Sequence, residues 1–412
     1  MDRALFNKIP KLQSTDVTGK HCIVRVDFNV PIKDGQITDL ARITAAKPTI
    51  DYLLKAKAKV ILLSHLSRVK EESDITSGKK SLEIVAKELQ KMYPNYNIVF
   101  VPNNTDRKLP RMVKKMKLNQ IFLLENTRYQ DYNLKTKQQV KLESKNDPKL
   151  AEFWASLGEV YVNDAFATIH RGHASNAGIA AHKREKCVGF LIQNELENVI
   201  KFDQYASKPI VSIIGGAKIA DKITLLEKLM TISDQVIIGG GMANTFLASL
   251  GVNVGASLYE KDMLKVARNL YQKYKKRILL PVDLKVNNKF ADTEGEVVSI
   301  KNIPLKSMAL DVGPKTIRQY LRVIKYAKTI FWNGPTGVSE FENYNASTKA
   351  IARAIAVATA GNAFSLIGGG DTAAAATKFV EKSAFSFVST GGGATLAVIA
   401  GDRLPGMFYK RK

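Results

Sequence analysis

Basic side chains that could bind an anion follow the strand-like stretches in the first half of the sequence. These side chains come after KVILLS, NQIFLLENT and EVYVNDAF, and they are His65, Arg68, Arg128 and Arg171. The carboxyl ends of parallel strands meet at one edge of a sheet, so we expect the four side chains to converge. A planar guanidinium group suits phosphate and carboxylate. The sequence therefore predicts a site for a small, highly charged anion in this half.

A polar stripe runs through the first strand-like stretch, IVRVDFNVPIKDG, at residues 23–35. Alternate residues of a strand point to opposite faces. If the whole stretch is extended, one face carries valines and a phenylalanine, and the other carries Arg25, Asp27 and Asn29. Arg42 lies further along the chain, after the turn that ends this stretch. The apolar face is ordinary core, whereas the polar face is a candidate part of the anion site.

In the second half, glycines rather than charged side chains follow the strands, at residues 215–216, 239–241, 334, 368–370 and 391–393. Glycines let backbone N–H groups approach phosphate, with help from the following helix N-terminus. One such loop is equally typical of a tight turn, but five in one half favour a nucleotide site. Asp371, in GGGDTA, would repel a phosphate unless a cation such as Mg²⁺ lay between them. The sequence therefore predicts a magnesium-nucleotide site here.

Strand-length apolar runs alternate with helix-like stretches along the whole chain, and this alternation predicts a parallel α/β fold. The runs interpreted as strands are CIVRVDF, KVILLSHL, NIVFVPN, NQIFLLEN and EVYVNDAF in the first half, and PIVSIIGG, DQVIIGGG, RILLPVDL, TIFWNGP, FSLIGGG and FSFVSTGGG in the second. A chain of 412 residues is long for one core and suggests two domains. The stretch GFLIQNELENVIKFDQYA is interpreted as one amphipathic helix that joins the halves near residues 180–206.

The composition indicates a globular protein that needs neither disulfides nor a membrane. Cys22 and Cys187 are the only cysteines, too few for a disulfide framework or a cysteine metal cluster. No apolar run reaches the roughly 18 residues that cross a bilayer, and the N-terminus lacks the apolar region of a secretory signal. We therefore expect a reducing, cytoplasmic location and no membrane partner.

A net charge of +24, from 62 basic and 38 acidic residues, first suggests nucleic acid. The charge is spread evenly, because residues 1–150 carry +13 (29 minus 16) and residues 151–412 carry +11 (33 minus 22). The sequence has no zinc finger and no aromatic RNA-binding signature. A lysine-rich solvated surface explains the charge better, and no nucleic-acid partner is expected.

Several enzyme classes lack their motifs in this sequence. There is no Walker phosphate loop and no protein-kinase motif set. GGGDTA matches a dinucleotide-binding pattern loosely, but no acidic residue follows about 20 positions later to bind a ribose, which weakens the dehydrogenase alternative. No nucleophile with a partner base stands out. An acceptor that is already an ionised carboxylate or phosphate would need no base, and positioning with charge neutralisation would carry the reaction.

Nine motifs in order make the sequence resemble phosphoglycerate kinase over essentially the whole chain. They are VRVDFNVP, SHLSR, LLENTRY, FATIHRGHAS, GGAKIADKI, GGGMANTF, NGPTGVSEFE, IGGGDTAAA and STGGGAT. The resemblance implies two doubly wound, Rossmann-like parallel-sheet domains joined by a helical hinge. Residues 1–188, completed by the C-terminal segment 400–412, would bind the acceptor, and residues 189–399 would bind nucleotide.

The resemblance also implies roles for individual residues. Asp27, Asn29 and the basic set of His65, Arg68, Arg128 and Arg171 would bind 3-phosphoglycerate. Arg42 would bind this substrate and, with Lys218, stabilise the phosphoryl group during transfer; Asp371 would hold the metal. The implied nucleotide-binding residues are Lys222, Gly240, Gly313, Asn333, Glu340, Gly369, Gly370, Asp371 and Thr372.

The implied reaction is reversible phosphoryl transfer between 1,3-bisphosphoglycerate with ADP and 3-phosphoglycerate with ATP, in glycolysis, by a monomer that uses Mg²⁺. Closure of the two domains would exclude water from the acyl phosphate. The sequence departs from the family's usual residues at Ser67, Val69, Ser339 and Ala397, which affects loop shape more than chemistry. Alternatives are an inactive or moonlighting relative, a nicotinamide-dependent dehydrogenase and a nucleic-acid-binding protein.

Overall fold

The computed structural model describes residues 6–204 and 206–408, which form two compact units. Unit 1 comprises the chain up to Glu197 together with the segment from Asp402, and unit 2 comprises Asn198–Gly401. The helix Phe190–Gln204 contains the division between them and coincides with the stretch interpreted as one amphipathic helix. Residues 1–5, 205 and 409–412 lie outside the described residues.

Unit 1 is built on a six-stranded parallel sheet. Its strands are β1 (His21–Arg25), β2 (Lys59–Leu63), β3 (Asn97–Val101), β4 (Gln120–Leu124), β5 (Val160–Asn163) and β6 (Lys186–Val188). They are arranged in the order β6-β5-β1-β2-β4-β3, and all neighbours are parallel. Because the chain builds outward from β1 on both sides, the sheet is doubly wound, as predicted.

Helices cover the sheet of unit 1, and α1 shows why they form where they do. In α1 (Ala41–Lys55) the buried residues Ile43, Ala46, Ile50 and Leu53 recur at helical spacing and join the core beside β1. Burying each large aliphatic side chain contributes about 1.5–3 kcal/mol. The other helices are α2 (Ser73–Thr76), α3 (Glu83–Met92), α4 (Leu109–Lys114), α5 (Pro148–Ala155), α6 (Ile179–Ala181) and α7 (Phe190–Gln204).

Unit 2 repeats the architecture and adds a small antiparallel sheet. The strands are β7 (Ile210–Ile214), β8 (Gln235–Ile238), β9 (Ile278–Leu279), β10 (Asp283–Asn287), β11 (Glu296–Ser299), β12 (Met308–Val312), β13 (Thr329–Asn333), β14 (Phe364–Gly368) and β15 (Phe387–Ser389). The parallel sheet has the order β9-β8-β7-β13-β14-β15, and the antiparallel one has the order β11-β10-β12.

The helices of unit 2 follow its strands. They are α8 (Ile223–Ile232), α9 (Gly240–Ser249), α10 (Leu264–Tyr274), α11 (Pro314–Tyr326), α12 (Ala346–Ala360), α13 (Gly370–Thr377) and α14 (Gly393–Ala400). The run RILLPVDL, interpreted as one strand, is divided between β9 and β10. Pro281 lies between the two strands, where it cannot donate a ladder hydrogen bond. No helix in the described parts of the chain is long and apolar enough to cross a membrane.

The first strand is shorter than the sequence predicted. Strand β1 ends at Arg25, so the stretch 23–35 is not extended throughout. The alternation of apolar residues is correct even so, because Val24, Val26, Phe28 and Val30 are all buried in the same core. The polar stripe therefore continues past β1 into the loop at the carboxyl end of the sheet.

The described part of the C-terminal segment packs on unit 1. The Gly406 N–H donates to the Ile169 carbonyl at 2.8 Å, and Asn163 Nδ2 donates to the Gly406 carbonyl at 2.8 Å. The Phe408 ring lies 6.2 Å from the ring of Tyr161. These contacts tie the segment to the end of β5 and the loop after it.

Candidate active site

Asp27 and Arg42 form an ion pair beyond the carboxyl end of β1. The Arg42 Nη1 contacts the Asp27 Oδ2, and the Asp27 side chain is 5 % exposed, whereas that of Arg42 is 29 % exposed. Arg42 is the second residue of α1, where a positive charge opposes the helix dipole. Stabilising the helix is therefore a poor explanation for this arginine. Its partly exposed guanidinium can take a second anionic partner.

Asn29 is bound to the loop that carries Arg68. The Ser67 N–H donates to Asn29 Oδ1 at 2.8 Å. Ser67 has φ 57°, in the left-handed region that favours glycine. The resemblance implies glycine at this position, and the backbone here has the conformation that glycine favours although the residue is serine.

Arg25 and His65 lie behind this surface. Arg25 is fully buried, and its Nη2 lies 3.1 Å from His65 Nδ1, while its Nε donates to Ser175 Oγ at 2.8 Å. His65 Nδ1 lies 3.9 Å from Asp27 Oδ1. Burial, and next the charge of Arg25, lowers the pKa of His65 well below its usual range. His65 is therefore a neutral hydrogen-bonding group.

Three of the four basic side chains that were expected to converge line one cavity of about 330 Å³ in unit 1, and the fourth, His65, does not line it. Arg68, Arg128, Arg171 and His173 line it. Arg128 lies in the short 3₁₀ helix Thr127–Asp131 after β4.

Arg128 is held by its neighbours but retains a free donor. Its Nη1 donates to Ser144 Oγ at 3.0 Å and lies 3.5 Å from Asp131 Oδ2. Its buried Nε has no hydrogen-bond partner among the described residues. Burial lowers the pKa of Arg128 and of Arg171, which means that their charges are incompletely solvated. A bound anion would compensate both arginines.

The other histidines near this cavity are not poised for acid–base chemistry. Burial, and next Arg171, lowers the pKa of His170 to about 4. Burial, followed by Arg128 and Arg25, lowers the pKa of His173 to about 3. Both rings are neutral at physiological pH, and a general base should have a pKa near the working pH.

In unit 2, Gly240 brings its loop against the backbone of Gly216, and Gly369 lies against the Asn333 side chain. Gly240 has φ 61°, and a Cβ there would lie 2.8 Å from the backbone nitrogen of Gly216. Gly369 has φ 104°, and its Cβ would lie 2.8 Å from Asn333 Nδ2. Only glycine fits both the conformation and the space at these positions. The loops therefore present backbone rather than side chains.

Two lysines follow the first glycine loop. Lys222 Nζ donates to the Gly215 carbonyl at 2.9 Å. Burial lowers the pKa of Lys222 to about 8, and the Asp371 carboxylate opposes that effect. Lys218 is exposed, and no hydrogen bond or ion pair engages it within the described residues. Lys222 is a fixed cation, whereas Lys218 is free to follow a ligand.

The third and fourth predicted loops, at residues 334 and 368–370, meet at the N-terminus of α13. Asn333 Nδ2 donates to the Gly368 carbonyl, and the buried Asn333 Oδ1 has no partner among the described residues. Thr372 Oγ1 accepts from the Gly334 N–H at 2.6 Å. No atom lies within 4 Å of a Cβ placed on Gly370, so this helix end is open. Asp371 is exposed beside it.

An apolar cavity of about 410 Å³ adjoins these glycine loops. Its lining includes Gly216, Gly240, Leu284, Phe290, Val312 and the predicted Glu340. Phe290 is 65 % exposed although it is a large apolar residue. Such a partly apolar, partly glycine-lined cavity is typical of a binding site for a small molecule.

Gly313 is placed differently from the other predicted nucleotide residues. It is not part of the cavity lining, although Val312 is. A Cβ on Gly313 would lie 2.3 Å from Asp283 Cγ. The Asp283 carboxylate accepts from Lys315 N and Thr316 N at 2.9 and 2.8 Å, at the start of α11. These hydrogen bonds cap the N-terminus of α11, and the absence of a side chain on Gly313 leaves room for the Asp283 carboxylate.

The residues of unit 2 fit a metal that arrives with a nucleotide better than a resident metal. No group of three or more histidine, cysteine or acidic residues in the described chain could hold an ion. Asp371 is a single exposed carboxylate near Lys222. Mg²⁺ commonly takes one or two carboxylates together with phosphate oxygens and water. One carboxylate beside an open helix end satisfies that requirement.

Comparison with known proteins shows similarity over nearly the whole chain. The sequence profile of phosphoglycerate kinase matches residues 12–402. The phosphoglycerate kinase of Mycoplasma pneumoniae is 48% identical over 401 residues, covering 96% of this chain and 97% of that protein. That of Staphylococcus aureus strain RF122 is 45% identical over 393 residues, covering 95% and 96%.

Solved structures agree with the sequence comparison. The structure of phosphoglycerate kinase from Coxiella burnetii is similar with a TM-score of 0.81 and 36% identity, and it covers 97% of each chain. That of phosphoglycerate kinase from Pyrococcus horikoshii has a TM-score of 0.80 and 28% identity, again covering 97% of each chain. The predicted α/β fold with two parallel sheets is confirmed. The chain belongs to the phosphoglycerate kinase family and is an ATP-binding phosphotransferase of glycolysis.

Proposed function

We propose that unit 1 binds 3-phosphoglycerate and 1,3-bisphosphoglycerate, and that unit 2 binds ATP and ADP, in the phosphoglycerate kinase reaction. The convergence of Arg68, Arg128 and Arg171 on one cavity in unit 1 carries this proposal. Three arginines exceed what one carboxylate needs, and they suit a phosphate. Unit 2 offers the complementary features of an apolar cavity and glycine loops.

Within unit 1, the residues beyond β1 would bind the glycerate end of the acceptor and the arginines its phosphate. Asp27 accepts hydrogen bonds and suits the hydroxyl group, and Asn29 and His65 would bind the hydroxyl and carboxylate region. The partnerless Nε of Arg128 supports an anionic ligand, since a buried unpaired donor is costly.

The chemical step requires no general base, because the attacking carboxylate of 3-phosphoglycerate is ionised at neutral pH. The lowered pKa values of His65, His170 and His173 support this mechanism. Charge neutralisation at the transferring phosphoryl group carries the catalysis. We assign it to Arg42, which is partly exposed, and to Lys218, which is exposed and has no hydrogen bond or ion pair among the described residues.

In unit 2 we assign the nucleotide base to the apolar cavity, with Glu340 in its lining, and the phosphates to the glycine loops. The residues assigned to the phosphates and their surroundings are Lys222, Gly240, Asn333, Gly369, Gly370 and Thr372. The orphaned Asn333 Oδ1 and the open end of α13 support this assignment. Gly313 would act indirectly, by letting Asp283 cap α11.

We propose Asp371 as the protein ligand of the Mg²⁺ that accompanies the nucleotide. When bound, Mg²⁺ neutralises phosphate charge. Asp371 would orient the complex, and Lys222 would contact a phosphate. The electrostatic coupling between Asp371 and Lys222 supports this arrangement.

We further propose that the protein acts as a cytoplasmic monomer. A monomer is what the family resemblance implies. Light scattering of the purified protein, with and without substrates, checks the oligomeric state. A stable dimer as the only active species would contradict this part of the proposal.

Calorimetry on two variants tests the division of labour. Arg171→Ala should weaken 3-phosphoglycerate binding and leave Mg-ADP binding unchanged. Lys222→Ala should do the reverse. If either variant changes both affinities equally while its melting temperature is normal, the assignment of one ligand to each unit is wrong.

A further inference from the structure

A buried chain of hydrogen bonds runs from Glu143 to His65, a residue of the proposed acceptor site. Glu143, Ser175 and Arg25 are all 0 % exposed, and neither Glu143 nor Ser175 lines the arginine cavity. None of the nine sequence motifs contains Glu143, which lies in the polar run KLESKNDP. The position of this carboxylate, close to a buried arginine, requires an explanation.

The direction of each hydrogen bond follows from the chemistry of the groups. The Ser175 hydroxyl donates to Glu143 Oε1, and the Ser175 N–H donates to Glu143 Oε2 at 2.9 Å. Because the hydroxyl has only one hydrogen, its oxygen is left to accept from Arg25 Nε at 2.8 Å. Both oxygens of Glu143 accept, as those of a carboxylate do. Burial raises the pKa of Glu143, and the charge of Arg25 and the hydrogen bonds from Ser175 oppose that effect. Glu143 is thus the counter-charge of Arg25, one hydroxyl away.

At the other end, Arg25 determines which nitrogen of His65 carries the proton. A guanidinium can only donate, so at 3.1 Å from Arg25 Nη2 the His65 Nδ1 must accept. The competing acceptor, Asp27 Oδ1, is 3.9 Å from Nδ1 and too far for a hydrogen bond. The proton of the neutral ring therefore sits on Nε2. His65 offers a donor there, which suits an oxygen of the acceptor.

Glu143 has a second connection to the acceptor site. Its carbonyl accepts from the Ala174 N–H at 2.9 Å, and its Oε1 lies 3.9 Å from His173 Nδ1. It therefore fixes the start of the segment that follows Arg171. Removing one partner of a buried charge pair leaves the other unpaired, which costs far more than a lost surface pair.

We propose that Glu143 is a positioning residue for the acceptor site, which through Ser175 and Arg25 holds His65 in the Nε2–H tautomer. This inference rests on the proposed function of unit 1. It assigns to a buried glutamate outside the cavity a role in substrate affinity rather than in folding alone.

Substitution of Glu143 with glutamine keeps its size and removes its charge. We expect Glu143→Gln to raise the KM for 3-phosphoglycerate about tenfold, which corresponds to one misaligned hydrogen bond. The KM for ATP and kcat should change less than threefold, roughly the scatter of such measurements. Ser175→Ala should act in the same direction, and the double variant should equal the larger single effect because both break one chain.

Nitrogen-15 NMR of the imidazoles measures which ring nitrogen of His65 carries hydrogen. A purely structural role of Glu143 would leave this tautomer unchanged. The chain has only 5 histidines, so a His65→Gln variant assigns the His65 signals. In the free wild-type protein we expect an Nε2 that carries hydrogen and an Nδ1 that does not. Glu143→Gln and Ser175→Ala should both mix the two tautomers.

Asp283→Asn in unit 2 is the matched control. Asp283 is also a buried carboxylate that accepts from a hydroxyl, that of Thr316, at 2.7 Å. The Asp283→Asn variant should have a lower melting temperature than the wild type, but the same His65 signals and the same KM for 3-phosphoglycerate. Should Glu143→Gln fail to fold, Ser175→Ala with the same two readouts decides.

The inference is overturned if wild-type His65 carries its proton on Nδ1, or if Glu143→Gln and Ser175→Ala lower only the melting temperature. Failure of the proposed function looks different. In that case Arg128→Ala and Arg171→Ala would leave 3-phosphoglycerate affinity unchanged, whatever the His65 signals show.

Discussion

The groups that we propose to face anions are long side chains in unit 1, whereas those in unit 2 are mainly backbone amides next to glycines. In unit 1, Arg25, Arg42 and Arg128 each have a carboxylate partner, directly or through a hydroxyl. In unit 2, Gly240 and Gly369 bring loops so close that no side chain would fit between them.

This difference determines what each unit tolerates. A site made of side chains depends on buried counter-charges, because an unpaired buried ion is costly. A site made of backbone depends on empty space and left-handed φ values, because a Cβ meets backbone atoms that cannot move away. Charge changes should therefore damage unit 1 most, and added methyl groups should damage unit 2 most.

The largest expected effect belongs to the unit 1 residue that we assign to the transferring group. Arg42→Ala should lower kcat about 10³-fold, by analogy with other arginines that stabilise phosphoryl transfer. Arg68→Ala and Arg171→Ala should instead raise the KM for 3-phosphoglycerate with a smaller loss of kcat, because they contact ground state and transition state alike. Steady-state kinetics with each variant measure the split.

Thermal melting is the control for Arg42→Ala. If Arg42 only braced α1, the variant would melt earlier while its folded fraction turned over normally. A kcat within about tenfold of wild type together with a raised KM would make Arg42 a binding residue. Either result would remove the distinction between Arg42 and the cavity arginines.

A methyl group on Gly240 tests the backbone site. Gly240→Ala places a Cβ 2.8 Å from Gly216 N and forces alanine to φ 61°. Backbone strain of this kind costs about 1–3 kcal/mol, so Mg-ADP affinity should fall up to about a hundredfold. Calorimetry measures the affinity.

Gly361→Ala, at the end of α12, is the matched control for Gly240→Ala. Its φ is −85°, and the nearest atom to its Cβ is a carbonyl oxygen at 3.3 Å. It should leave Mg-ADP affinity unchanged. Equal losses in the two variants would mean that glycine substitution harms unit 2 generally and not through the loop contact.

The sequence predicted the arginine cavity because strand ends are visible in a pattern of apolar runs. It predicted β1–β5 and most of the parallel strands of unit 2 for the same reason. It did not predict β6 or the antiparallel strands β11 and β12. Strand β6 has only three residues, and β11 is mostly exposed, so neither produces a clear apolar run.

The second layer of the acceptor site was beyond sequence reasoning. Glu143 and Ser175 are 32 residues apart in the chain, and their contact depends on tertiary packing alone. Arg25 was noticed only as part of a polar stripe. The sequence also could not show that Gly313 leaves room for the Asp283 cap of α11 and does not line the cavity, because a glycine after a strand is compatible with both roles.

Asp371 is the exception in unit 2, since it is a side chain in a backbone site. Asp371→Ala should weaken Mg-ADP binding about tenfold, the value of one charge-assisted contact, and leave 3-phosphoglycerate binding unchanged. A carboxylate beside a phosphate loop is repulsive unless a cation lies between. Calorimetry with and without Mg²⁺ decides, because unaltered or tighter Mg-ADP binding would contradict the metal assignment.

Truncation before Asp402 should affect unit 1 and spare the backbone site of unit 2. It removes the partners of Asn163 and Ile169 and the ring on Tyr161. Leaving buried polar groups unpaired costs about 1–3 kcal/mol each, so unit 1 should melt earlier. Activity should fall while Mg-ADP affinity persists. Unchanged melting and activity would show that the segment does not support unit 1.

The smallest effect is expected at Ser67, where the side-chain site relies on backbone conformation. The left-handed φ of 57° costs a non-glycine residue about 1 kcal/mol, and Ser67→Gly removes that cost. Glycine also gains entropy in the unfolded chain, worth about 0.4–1 kcal/mol, so the two terms nearly cancel. We expect a change in unfolding free energy below about 1 kcal/mol and an unchanged KM for 3-phosphoglycerate.

Ser67→Val should behave differently, because a β-branched residue resists this conformation and would turn the Ser67 N–H away from Asn29 Oδ1. Urea unfolding and the KM for 3-phosphoglycerate measure both variants. A normal KM for Ser67→Val would mean that Asn29 does not need this bond, and that the acceptor site depends on side chains alone.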